Sequence, residues 1–291
     1  MRNKFIEKLV QKAEIDESIV LIVGDLGYNV IEPFSEKFPN RFFNAGICEQ
    51  SMASMAAGMA SEGHKVFIYS IANFPTFRCA EQIRNDICYH NLDVTIVSVG
   101  GGLAYGNLGY SHHAIQDYGL IRLFPEISIL SPGDPIEVDK LFEYIMNETT
   151  PKYLRLRKSG ETNYTNYNEN ISAGRWNKII AGKSIFLTTG NGLEIAQRLR
   201  LENKKFSDFG IYTCPIWGPK VSNLQVEQIK QFEVVISVED HLRDCGFGSW
   251  LNESCESNNV KNKLYNSYLD KSIIGKVGSE DYLLENFKIE Y

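Results

Sequence analysis

Four short apolar runs constrain this chain more than anything else in it: Ser18–Val23, Lys65–Ser70, Val94–Val99 and Ile127–Leu130. A strand with one wet face alternates apolar and polar residues. These runs barely alternate, so each predicts a strand covered on both faces, as in a parallel sheet packed between helices. The stretches between them supply the cover. Glu81–Cys88 and Ile136–Met146 carry apolar residues at helical spacing. Tyr153–Arg157 reads as the last strand of this unit. The expected fold is therefore α/β, with a mainly parallel sheet over residues 1–160.

A polar stretch, Gly160–Asn170, rich in Asn and Thr, interrupts the alternation and marks a linker taken as 161–179. Strand patterns resume at Ser184–Gly190, Gly210–Ile216 and Glu233–Glu239, which predicts a second, smaller layered α/β domain over 180–291. The 291 residues are 43% hydrophobic and 23% charged, an ordinary globular balance. A formal net charge of -6 and the lack of a Lys/Arg cluster argue against a nucleic-acid partner. No apolar run approaches the ~20 residues that span a bilayer. Met1–Val10 reads as a charged amphipathic helix rather than a signal peptide. Six cysteines, at 48, 79, 88, 214, 245 and 255, form no C-x-x-C pair, so they are expected as reduced, mostly buried thiols in a cytoplasmic protein.

Ligands of open parallel sheets bind beyond the carboxyl ends of the strands. Four loops leave such ends in the first domain: Gly24–Gly27, Gly46–Glu49, Ser70–Phe77 and Gly100–His113. In the second of these, the extended aromatic segment from Arg41 turns into a helix of small and apolar residues, Ser51–Ala60. Positions 52, 55, 56, 59 and 60 recur at helical spacing and should be buried. Glu49 then stands at the mouth of a buried helix. It is either a first-turn acid that complements the helix dipole or a functional carboxylate. Cys48 beside it has no base placed nearby in sequence and reads as small apolar filler.

The ordered set of residues resembles a known family. Arg41-Phe42-x-Asn44-x-Gly46-Ile47-x-Glu49-Gln50, Ala57-Gly58, Phe74, Gln82-Ile83-Arg84, Gly109-Tyr110-Ser111-His112, Ser131-Pro132-Gly133-Asp134 and Tyr153-Leu154-Arg155 resemble the pyrimidine-binding domain of transketolases. Thr189-Gly190, Glu239-Asp240-His241 and Gly246-x-Gly248 are similar to that family's C-terminal domain. The resemblance implies thiamine diphosphate as cofactor. In the family a further N-terminal domain holds the diphosphate through a metal. The chain shows no Gly-Asp-Gly…Asn motif ahead of its first domain. It is thus expected as the second half of a split transketolase, active with a partner subunit that carries the diphosphate and the Mg2+ or Ca2+ ion. An α2β2 particle is expected.

The resemblance also assigns roles. Glu49 would be the acid that hydrogen-bonds the pyrimidine nitrogen, which asks for a desolvated carboxyl; Phe43, Ile47, Met52 and Met55 are its expected apolar surround. Phe74 would stack on the pyrimidine, Phe77 would add a second aromatic, and Ile71 stands where a third belongs. Both Phe74 and Phe77 also suit plain core. His112 matches the loop histidine that reaches the substrate oxygen, and His113 follows it. Asp25 matches an acid near the thiazolium, or else caps a turn. Arg155, Arg157 and Lys158 are candidates for a substrate phosphate, or solvated cations at a strand end.

Two departures bear on the substrate. Leu108 stands where the family has an aspartate that reads a donor hydroxyl, and Gly100-Gly101-Gly102 replaces a stretch expected to hold a further histidine. The leading expectation is transfer of a two-carbon ketol or acyl unit between carbonyl or sugar substrates. The alternatives are a pyruvate-dependent acyloin or deoxyxylulose-phosphate-type synthase subunit, a 2-oxo acid dehydrogenase β subunit, or a non-catalytic regulatory homologue.

Overall fold

The computed structural model describes residues 1–168, 170–256, 260 and 263–291. Glu169, in the expected linker, lies outside the described residues. The chain begins α1 (Arg2–Ala13), β1 (Ile19–Val23), α2 (Glu32–Lys37), β2 (Phe42–Asn44), α3 (Glu49–Ser61), β3 (Lys65–Ile71), α4 (Phe74–Phe77), α5 (Ala80–Gln82) and β4 (Val94–Val99). It continues α6 (Asp117–Ile121), β5 (Ser128–Leu130), α7 (Pro135–Asn147), β6 (Lys152–Leu156), β7 (Asn177–Ile180), β8 (Ser184–Thr188), α8 (Gly192–Glu202), β9 (Gly210–Thr213) and β10 (Ile216–Trp217). The last elements are α9 (Gln225–Ile229), β11 (Val234–Leu242), α10 (Phe247–Ser254), β12 (Leu264–Leu269), α11 (Glu280–Leu284) and β13 (Phe287–Ile289).

Two sheets result, in the α/β class that the sequence indicates. The first has the order β10-β5-β6-β4-β3-β1-β2 and is parallel except for β10. The second runs β13-β12-β11-β8-β9-β7, with a parallel centre and antiparallel edges. Every residue of β1 and β4 is buried, as their unbroken apolar pattern requires. One core lies on each face of the first sheet. Phe5, Ile6 and Leu9 of α1 join Phe67, Tyr69 and Phe142 on one side, while Met52, Ala53, Ala56 and Ala60 of α3 join Ile68 and Ile96 on the other.

Three local features differ from the sequence reading. The expected strand Gly210–Ile216 is two strands in different sheets. β9 stays in the second sheet, and Cys214 N makes the last ladder bond to Thr188 O at 2.8 Å. Pro215 has no N–H to continue the ladder, and β10 then pairs with β5 of the first sheet. The expected helix Glu81–Cys88 keeps only a short α-helical start, and Ile83–Cys88 winds as a π-helix, with Tyr89 N donating to Arg84 O at 3.0 Å. A strand, β7, forms at Asn177–Ile180, within and just past the stretch read as linker.

The strand switch at Pro215 joins the two layers. Trp217 on β10 lies 5.0 Å from Tyr118, 5.2 Å from Phe247 and 5.3 Å from Trp250 between ring centroids. A single apolar cluster therefore runs from the first sheet to α10.

Candidate functional site

The carboxyl ends of β1, β2, β3 and β4 open onto one surface, and four loops converge there. After β1, Asp25 adopts a left-handed conformation (φ 53°). Asn44 at the end of β2 holds that turn. Its amide donates to Asp25 Oδ1 at 3.0 Å, while its carbonyl accepts from Asp25 N at 3.1 Å and Gly46 N at 2.9 Å. Asp25 itself is exposed. Glu49 is the first residue of α3 and is 4% exposed. Its side chain packs over Gly24, where a Cβ would stand 3.8 Å from Glu49 Cγ and 3.5 Å from Ser70 Oγ.

β3 ends at Ile71, half-buried, and α4 follows, carrying Phe74 and Phe77. Asn73 ties this turn to the glycine-rich loop by donating to Ser111 O at 3.1 Å and His113 O at 3.0 Å. That tether brings His112 edge-on to Phe74, with ring centroids 5.4 Å apart. Ser111 Oγ lies 2.9 Å from His112 Nδ1. Burial, with His113 and Arg78 as positive neighbours, pushes the His112 imidazole below its ordinary value. His113 is buried, and its Nε2 lies 3.0 Å from Gly106 O. A carbonyl only accepts, so Nε2–H donates this bond, and Nδ1 has no partner among the described residues.

The surround of Glu49 is not the apolar shell expected. Met52 is fully buried, but Ile47 is 73% and Met55 38% exposed. Arg78, which the sequence reading passed over, donates from one terminal nitrogen to Glu49 Oε1 at 2.7 Å. Its guanidinium carbon also lies 4.2 Å from the Phe74 ring centroid. Arg78 and Phe77 line two neighbouring clefts. One of about 610 Å3 is shared with Glu49 and Gln50, and one of about 390 Å3 with Phe74, Tyr110 and His113. The signal for Arg78 was its spacing: four residues after Phe74 on a helical turn, a side chain lies over the earlier ring.

The other candidates sit elsewhere. Leu108 lies in an exposed turn, 56% exposed. Arg155 is enclosed by the protein. It is 3% exposed and donates to Asp117 Oδ2 at 2.8 Å, Asp240 Oδ1 at 2.7 Å and Ala114 O at 2.7 Å. Asp240 comes from β11, so the guanidinium pins the two sheets together. Gly102 (φ 64°) permits this approach, because a Cβ there would collide with Asp240 Oδ2. Arg157 is likewise engaged, by Glu194 at 2.5 Å and Glu280 at 2.6 Å. A buried guanidinium needs such carboxylates, and they leave Arg155 and Arg157 no free fork for a phosphate. Lys158 is exposed, with its ammonium 5.7 Å from the Tyr105 ring. The site thus gathers Glu49, Phe74, Phe77, Arg78, His112 and His113, while Ile71 ends β3 and Asp25 follows β1 on the same side of the sheet.

One flat cation, Arg78, therefore bridges a buried carboxyl and an aromatic face. The arrangement is an α/β layer with a carboxyl and an aromatic face beyond the carboxyl ends of its parallel strands. Comparison with known proteins gives this layer a family. Residues 1–161 match the transketolase pyrimidine-binding domain. A transketolase C-terminal section of Methanocaldococcus jannaschii is 30% identical over 100% of this chain and 92% of its own length. An apulose-4-phosphate transketolase subunit of Phocaeicola vulgatus is 29% identical over 89% of this chain and 84% of its own. A solved structure described as a split-gene transketolase, inactive beta4 tetramer, superposes with a TM-score of 0.81 at 26% identity, covering 98% of this chain and 92% of that one. 1-Deoxy-D-xylulose-5-phosphate synthases also match, but the chain spans only 42% of the one from Clostridium perfringens. The chain belongs to the transketolase family and is a transketolase-like transferase subunit. That family implies the use of thiamine diphosphate.

Proposed function

We propose that this chain supplies the pyrimidine side of a thiamine diphosphate site, and that a partner subunit supplies the diphosphate side with its Mg2+ or Ca2+ ion. The relatives described as a C-terminal section and as one subunit of a transketolase, matched over most of their length, support a two-chain enzyme. An α2β2 particle with cofactor sites between chains fits that division. The substrates we propose are sugar phosphates, the class to which the apulose 4-phosphate in the names of two relatives belongs, with a carbonyl compound as acceptor. Six free thiols suit the cytoplasm.

When bound, the cofactor supplies carbanion chemistry at its thiazolium. The chain's part is positioning and proton handling. Glu49 holds a proton at the pyrimidine nitrogen, and Phe74 orients the ring by stacking. His112, kept neutral at ordinary pH by its surroundings, donates to or takes a proton from the substrate oxygen. Asn73 fixes the loop that carries it. Ile71 and Phe77 would flank the ring, and Asp25 would stand toward the thiazolium.

The pairing of a 4%-exposed Glu49 with the Phe74 face carries this reading. Its test is Glu49→Gln in the reconstituted two-chain enzyme. Circular dichroism should match wild type, while turnover and exchange of the cofactor C2 proton fall by at least about a hundredfold, the scale of a lost acid–base group. Wild-type exchange in Glu49→Gln would remove Glu49 from the chemistry.

A further inference from the structure

Arg78 holds the two partners that the proposed reading gives to the pyrimidine. Its guanidinium is flat, delocalised and rich in donors. It stacks 4.2 Å from the Phe74 centroid and donates to Glu49 Oε1 at 2.7 Å. An aminopyrimidine makes those same contacts, a planar face against Phe74 and a hydrogen bond to Glu49. Both cannot be present at once. The side chain is also free to leave, since it is about half exposed and belongs to both clefts beside the site.

We propose that Arg78 is a placeholder for the cofactor's pyrimidine: it pairs the buried carboxylate and covers the aromatic face in the free subunit, and it must swing aside for the cofactor to bind. This inference rests on the proposed pyrimidine site and adds a residue to it. It gives the ion pair a reason that surface pairs lack. An open Glu49 would be a nearly buried carboxylate with no partner, which is costly in a free subunit. Arg78 satisfies it, yet the half-exposed contact is weak enough to yield. The pair also marks the site as selective for a flat, donor-bearing ring, because only such a group replaces both contacts together.

Thiamine, which carries the aminopyrimidine without the diphosphate, is the probe. The full chain is titrated with thiamine by NMR, following the Glu49 and Phe74 side chains in wild type and in Arg78→Met, which keeps length but removes plane and charge. Arg78→Met should bind thiamine roughly five- to thirtyfold more tightly, the fold-change expected from removing an exposed ion pair with a cation–π contact. Arg78→Lys should fall between the two. Methylguanidinium, added back to Arg78→Met, should compete with thiamine. Equal affinity in wild type and Arg78→Met, with Glu49 and Phe74 responding in both, overturns the placeholder and leaves the pyrimidine site standing. No response at Glu49 or Phe74 in either protein overturns the placeholder and the site together.

Discussion

Replacing Arg155 by methionine should cost this chain about 4 kcal/mol. The guanidinium makes five hydrogen bonds, to Asp117, to the Tyr118 hydroxyl, to both the side chain and the carbonyl of Asp240, and to Ala114. Asp117 and Asp240 are each 0% exposed. Among the described residues, neither forms a salt bridge with any other cation. Removing one member of a buried pair costs ~3–5 kcal/mol, because the stranded charge stays behind. Two stranded carboxylates do not double that figure, since one can take a proton. Holding a carboxyl of ordinary pKa ~3.9 protonated at pH 7 costs about 4 kcal/mol, at ~1.36 kcal/mol per unit. That sets the expected size, a large part of the ~5–15 kcal/mol stability of a typical domain.

Urea denaturation followed by tryptophan fluorescence is the assay. Trp217 lies on the first sheet and Trp250 on α10, with ring centroids 5.3 Å apart, so their signal reports the joint that Arg155 pins. Two features separate a charge effect from loss of bulk. The penalty should shrink by about 2–3 kcal/mol at pH 5, where the spare carboxyl protonates more cheaply. The combination Asp117→Asn, Arg155→Met and Asp240→Asn should regain stability over Arg155→Met alone, because removing a whole buried ion network is often near neutral. A cost under ~1 kcal/mol for Arg155→Met, independent of pH, would refute the reasoning.

Two further outcomes concern titration. His112 should titrate below the ordinary imidazole value of ~6.5, since burial, His113 and Arg78 all disfavour its charged form, and Arg78→Met should move the midpoint upward; an NMR midpoint above ~7 in wild type would contradict this placement. Burial pushes Glu239 up to about 8, so between the ordinary 4.5 of the unfolded chain and about 8 the folded chain binds a proton that the unfolded chain has released. Stability from this group should therefore fall as pH rises through that window, and Glu239→Gln should flatten the fall in urea midpoints; an unchanged slope would exclude it.

The legible parts of the fold were those fixed by local pattern. β1, β3 and β4 announce themselves because their residues are apolar on both faces, and α3 because its small apolar residues recur at helical spacing. β7 is a short edge strand with mixed burial, which leaves no such pattern. β9 and β10 read as one strand because the run Gly210–Ile216 is continuous. Only the partner strands reveal that Pro215 ends one ladder and that Ile216 enters another. At the site, the order of residues led to Glu49, Phe74 and His112, which follow the ends of β2, β3 and β4. Arg155 misled because its partners are remote: Asp117 lies 38 residues away and Asp240 85. A cation at a strand end looks solvent-facing until a second sheet closes over it.

The difference around Glu49 has a chemical consequence for how the site must be completed. An acid that shares a proton with a ring nitrogen works best where water is kept away, since burial favours the neutral carboxyl. This chain packs Glu49 over Gly24 and leaves it 4% exposed, but the cleft that Glu49 lines also presents Ile47 and Phe77 to solvent, at 73% and 47% exposure. Apolar groups left at the rim of a charged cleft gain nothing from water and lose it readily to a covering surface. On the proposed reading, the partner half that brings the diphosphate side also seals this rim. Arg78 is then displaced from Glu49 as water leaves, so the carboxyl passes from an ion pair to a dry hydrogen bond in one step. Assembly and the readiness of Glu49 for proton sharing become the same event.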